Sequence, residues 1–150
     1  MTKIPTAPLL LGLAGLIPFL WGAATVLITP LYEWSLITFG SRFVAPFILL
    51  SYGTVILSFM SGVLWGFATK AKGAQAASCY ALSVLPALWA FFMVGGGPTS
   101  SGMNLIFGFV ALLGLDAAFS HWGLTPQWWL PLRVALTICV VLCLGVGVYL

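Results

Sequence analysis

The chain has 150 residues, 62% of them hydrophobic, with five Lys or Arg, two Asp or Glu and a formal net charge of +3. A soluble domain carries charge on about a quarter of its residues, so this composition lacks the polar surface that a water-facing globule needs. The basic residues are scattered without a patch or stripe, which excludes a nucleic-acid surface as well. The predicted class is all-α: a polytopic membrane protein in which residues 1–150 form one domain, a compact bundle of five transmembrane helices.

A hydrocarbon layer about 30 Å thick needs an apolar helix of about 20 residues. Five runs meet that length: residues 9–28, 43–68, 74–94, 104–122 and 128–150. They are apolar on nearly every side, unlike the short alternating segments of a membrane barrel. The first run continues to Ile28, past the 7 to 15 apolar residues of a signal peptide, so it reads as a span. Thr29-Pro30 ends it. Residues 31–42, with Tyr32, Glu33, Trp34 and Phe39, suit either an interfacial helical turn with aromatics at headgroup level or an irregular loop.

The second run carries Ser51, Thr54, Ser58 and Ser61 at helical spacing, with Tyr52 beside them and Trp65 next in the series. This stripe has two readings: a packing face bonded to neighbouring carbonyls, or the lining of a polar path. Gly62 and Gly66 add a small-xxx-small pair. Lys70-Ala71-Lys72-Gly73 closes the run. Pro18 in the first run and Pro86 in the third each free a carbonyl one turn back, which a neighbouring hydroxyl or a ligand can satisfy. Small residues mark further contact faces at Gly12, Gly15 and Gly22, at Ala76, Ser83, Ala87 and Ala90, and at Gly108, Ala111 and Ala118. Gly95-Gly96-Gly97-Pro98 closes the third run.

Asp116 and Arg133 lie inside the fourth and fifth runs, where each charge is costly and so marks a structural or functional site. Gly123 has the character of a helix stop, Thr125 of an N-cap and Pro126 of a first helical residue. Counted from that turn, both charges sit about 10 Å deep in the same hairpin, so a bidentate ion pair is expected. As a clamp, the pair fixes the hairpin. As a ligand site at the bundle mouth, it relays a proton or holds an anionic group, with His121 in the same vestibule. Arg133, Lys3, Lys70 and Lys72 share one side of the membrane, while Arg42 on the other is offset by Glu33. The N-terminus is therefore expected in the cytoplasm and the C-terminus on the opposite side.

A single histidine leaves no bis-histidine haem or H-E-x-x-H zinc site, and neither a P-loop nor a G-x-S-x-G motif occurs. Neighbouring Ser120 and His121 diverge by about 100° on a helix, which works against a triad with Asp116. No catalytic residue, metal or cofactor is expected. Cys79, Cys139 and Cys143 read as packing thiols.

Gly15-Leu16-Ile17-Pro18-Phe19, then Tyr52 to Phe59 leading to Gly62-Val63-Leu64-Trp65-Gly66, then Asp116, then Pro126 and Trp128 before Leu132-Arg133 and Leu136-Thr137, resemble the transmembrane protein 69 family. The resemblance spans nearly the whole chain and implies a multi-spanning protein of the bacterial inner membrane, without supplying a chemistry. Ser61 and Leu64 depart from the family pattern, leaving Trp65, Asp116 and Arg133 as the residues carried over. Three functions are open: a non-catalytic scaffold or assembly partner, with a membrane-protein partner or homo-oligomer; a small transporter or channel using Asp116 and Arg133; and a lipid-binding or lipid-modifying protein.

Overall fold

The computed structural model describes residues 3–150. It has seven α-helices: α1 (Thr6–Ala14), α2 (Ile17–Leu27), α3 (Thr29–Phe39), α4 (Phe47–Ala68), α5 (Ala74–Met93), α6 (Pro98–His121) and α7 (Trp129–Tyr149). A 3-10 turn, Ser41–Phe43, precedes α4, and no strand occurs among the described residues. Five segments are long and apolar enough to cross a membrane: α1 with α2, then α4, α5, α6 and α7. The α4–α5 and α6–α7 hairpins pack against each other, and α2 lies across α4 and α7. The core is drawn from all of these except α1, which buries no residue.

The first span is not one continuous helix. Pro18 lacks an N–H and its ring crowds the carbonyl one turn back, so the chain breaks at Gly15-Leu16 and restarts with Pro18 in the first turn of α2. Tyr52 of α4 donates its hydroxyl to the Gly15 carbonyl at 2.9 Å. α5 runs through Pro86 instead of breaking, and there Ser61 of α4 steps in: it accepts from the Ala87 N–H at 3.0 Å and donates to the Ser83 carbonyl. In both cases the rescued carbonyl lies three residues before the proline, and the rescuing hydroxyl comes from α4.

Residues 31–42 are mostly helical rather than irregular. Ile28 turns extended, and α3 begins at Thr29 with Pro30 in its first turn, where a missing N–H costs nothing. Only Ser35 of α3 is buried. Its Trp34 and Phe39 meet Trp21 of α2 edge to face, and Trp21 donates to the Phe43 carbonyl at 3.0 Å. A short helix carrying aromatics on the rim of a bundle suits the membrane–water interface.

Three other boundaries differ from expectation. α4 starts at Phe47, not at residue 43, because Phe43 closes the separate 3-10 turn. α6 starts at Pro98, ahead of Asn104, because Pro98 opens the helix and the residues after it are recruited, Ser101 and Gly102 being buried. α7 starts at Trp129, not Pro126: Thr125 turns its hydroxyl to the Pro126 carbonyl and caps nothing, and Pro131 is accommodated in the first turn. Gly123 does stop α6, at a φ of 72°.

Close helix approach needs glycine at specific places. A Cβ on Gly22 would lie 2.6 Å from Leu49, and one on Gly53 would lie 2.9 Å from Leu105, so these positions set the α2–α4 and α4–α6 spacings. Gly62 and Gly66 point elsewhere, with nothing within 4 Å of an added Cβ.

Candidate functional site

The α6–α7 hairpin brings Asp116 and Arg133 together. Arg133 Nε donates to Asp116 Oδ2 at 2.9 Å, with Asp116 fully buried and Arg133 5% exposed. The contact is not bidentate. Trp129 Nε1 donates to the other carboxylate oxygen, Oδ1, also at 2.9 Å. Asp116 is five residues before the end of α6 and Arg133 four after the start of α7. At 1.5 Å per residue the pair lies about 6 to 8 Å inside its helices, shallower than expected because α6 ends at His121 and α7 starts at Trp129.

Trp129 is the member of this group that sequence reasoning missed. Its spacing is the signal: residue 129 precedes residue 133 by one helical turn and so shares its face. Phe67 at the end of α4 packs on its ring, with centroids 5.0 Å apart and planes at 82°. The indole is thus fixed between α4 and the carboxylate, and the clamp ties three helices, not two. It is also directional. Exchanging Asp116 and Arg133 would turn a guanidinium toward the Trp129 N–H, donor against donor.

A buried carboxylate in contact with a guanidinium is neutralised as a pair, and its second oxygen is satisfied by the indole. The arrangement stabilises a hairpin geometry and leaves Asp116 no lone oxygen turned to solvent. Its remaining hydrogen-bonding capacity lies on the arginine side. Arg133 Nη2 and Thr137 Oγ1, one turn apart on α7, are buried without a partner among the described residues.

The other candidates disperse. His121 is exposed at the end of α6, and its position does not join the Asp116 group. The hydroxyl stripe of α4 is not one surface, because the buried face of that helix runs through Leu49, Gly53, Leu57, Ser61 and Leu64. Ser51 and Thr54 bond back to the carbonyls of Phe47 and Leu50 in their own helix. Ser58 is exposed, and Trp65 is half exposed and packed at a tilt on Tyr80 of α5 with centroids 4.6 Å apart. Of the stripe's hydroxyls, Tyr52 and Ser61 alone among the described residues bond outside α4, at the two proline sites. Cys79 and Cys143 are buried, and all three cysteines are free.

No solved structure matches this chain. It is 32% identical over 144 residues to Transmembrane protein 69 of Xenopus tropicalis, an alignment covering 93% of this chain and 53% of the frog protein. The chain thus spans about half the length of the curated relative it matches. A family model described as "Protein of unknown function (DUF3429)" matches residues 4–149, nearly the whole of the described bundle. This five-span membrane protein belongs to the DUF3429 family.

Proposed function

We propose that the chain is a non-catalytic membrane scaffold or assembly partner. It sits in the bacterial inner membrane with its N-terminus cytoplasmic and its C-terminus on the opposite side, against a membrane-protein partner or a second copy of itself. The observation that carries the non-catalytic reading is the closure of Asp116, which is fully buried with both oxygens bonded inside the protein. A proton relay at this position would need an oxygen open to exchange, so the geometry favours a clamp over transport. The outward Gly62 and Gly66 supply the contact surface: glycine at this spacing lets another helix approach closely, and nothing in the bundle uses the space.

Native mass spectrometry of the detergent-solubilised full chain tests this reading. A stoichiometric partner or a homo-oligomer is expected, lost in the double substitution Gly62→Leu, Gly66→Leu with thermal unfolding little changed. A strictly monomeric wild-type protein without a partner, or solute flux in liposomes that Asp116→Asn abolishes, overturns it. A C-terminal reporter that functions only in the cytoplasm is expected to stay silent.

A further inference from the structure

A cavity of about 320 Å³ lies between α1, α2, α4, α6 and α7. Its walls are almost wholly apolar, with Leu11, Phe19, Ile56 and Phe109 from four different helices. α7 contributes the exceptions, Arg133 and Thr137. These are the two residues of that helix with a buried polar atom lacking a protein partner, Nη2 and Oγ1. Arg133 is 5% exposed and Thr137 3%.

This departs from how the bonded hydroxyls of α4 are treated; the one other buried side-chain atom without a partner among the described residues, Ser35 Oγ of α3, does not belong to this cavity. Ser51 and Thr54 return theirs to their own helix, and Tyr52 and Ser61 spend theirs on proline-freed backbone. Thr137 has the same option of bonding one turn back and does not take it. Polar groups buried in native proteins are paired as a rule. Two that are not, one turn apart on one helix and both belonging to residues that line one cavity, mark a place where a hydrogen-bond acceptor completes the structure.

The charge balance selects the kind of acceptor. Asp116 already neutralises Arg133, so a carboxylate or phosphate entering here would bring an uncompensated charge into hydrocarbon. A neutral carbonyl oxygen needs only donors, and Nη2–H and the Thr137 hydroxyl both donate. The volume is at the small end of ligand sites, and the apolar walls suit the rest of a hydrophobic molecule. We propose that this cavity binds a small, uncharged, largely apolar molecule through its carbonyl oxygen, held by Arg133 Nη2 and Thr137 Oγ1. A lipid-chain ester and a quinone ring both offer that chemistry. The proposal stands apart from the assembly reading, which the Gly62 and Gly66 substitutions test at another face.

The test titrates the purified full chain in detergent with two tritiated carbonyl probes, methyl dodecanoate and tetramethyl-benzoquinone, and with their acceptor-free counterparts, dodecane and tetramethylbenzene. At least one carbonyl probe is expected to saturate a single site roughly 10- to 100-fold more tightly than its counterpart, the range for a hydrogen bond from a charged donor. Preference for the ester or for the ring identifies the source. Thr137→Val keeps shape and leaves the Asp116 contact untouched, so it is expected to narrow that ratio roughly fivefold without altering thermal unfolding. Ile56→Trp, which fills the cavity from α4, is expected to abolish saturable binding. Carbonyl probes that bind no better than their counterparts, or a ratio unmoved by Thr137→Val, overturn the proposal.

Discussion

Asp116→Asn isolates the energetics of the clamp. The substitution removes the charge that neutralises Arg133 while keeping the side-chain shape, and it sets one amide N–H against either the Trp129 or the Arg133 donor, each now 2.9 Å from a carboxylate oxygen. An exposed ion pair is worth about 0 to 1 kcal/mol, but leaving one partner of a buried pair alone costs about 3 to 5 kcal/mol. Exposures of 0% and 5% place this pair in the second class. For a chain of this length that loss corresponds to a fall in unfolding midpoint of roughly 10 °C. The assay is thermal unfolding in detergent, followed by circular dichroism. Replacing all three members, with Asp116→Leu, Trp129→Phe and Arg133→Met, removes every polar group at once and is expected to recover most of the loss, since well-packed apolar groups substitute for a buried pair at little cost. A midpoint for Asp116→Asn within about 2 °C of wild type, or a triple variant as unstable as the single one, refutes the reasoning.

Two further substitutions test the bundle by the same measurement. Ser61→Ala leaves both the Ala87 N–H and the Ser83 carbonyl without their cross-helix partner, so it is expected to cost about 1 to 3 kcal/mol, well above the ~0.6 kcal/mol of an average interhelical bond in a membrane. Gly22→Val drives a branched side chain into Leu49, already 2.6 Å from a single added carbon, and is expected to lose about 1 to 3 kcal/mol; Gly62→Ala meets nothing and is expected to stay within about 1 kcal/mol of wild type.

The spans were legible because hydrocarbon demands long apolar helices, and few other sequences satisfy that demand. The pairing of Asp116 with Arg133 was legible too, since Gly123 anchors the count on one side of the hairpin. Where the count started on the other side was not. Pro126 has the look of a first helical residue, yet Thr125 bonds locally and the helix waits for Trp129. That shift explains the overestimated depth of Arg133, whereas the indole was legible in the one-turn spacing of residues 129 and 133 and was overlooked. The α4 stripe misled for a different reason: serine and threonine in apolar helices can bond to their own backbone, so helical spacing of hydroxyls does not require a common surface. Tyr52 and Ser61 differ from the rest only through where Pro18 and Pro86 fall in neighbouring helices, a fact that no single helix contains.

That cross-helix repair has a consequence for how the chain is assembled. The helices broken or strained by proline are those immediately before and after α4 among the five spans, and α4 repairs both through Tyr52 and Ser61. Neither flanking span is complete in lipid by itself, because an unpaired backbone group there has no water to turn to. During synthesis α4 therefore finishes the span before it and is already in place to finish the span after it. Neither repair needs the charged α6–α7 hairpin, and Phe67 at the end of α4 offers the surface on which Trp129 is seated.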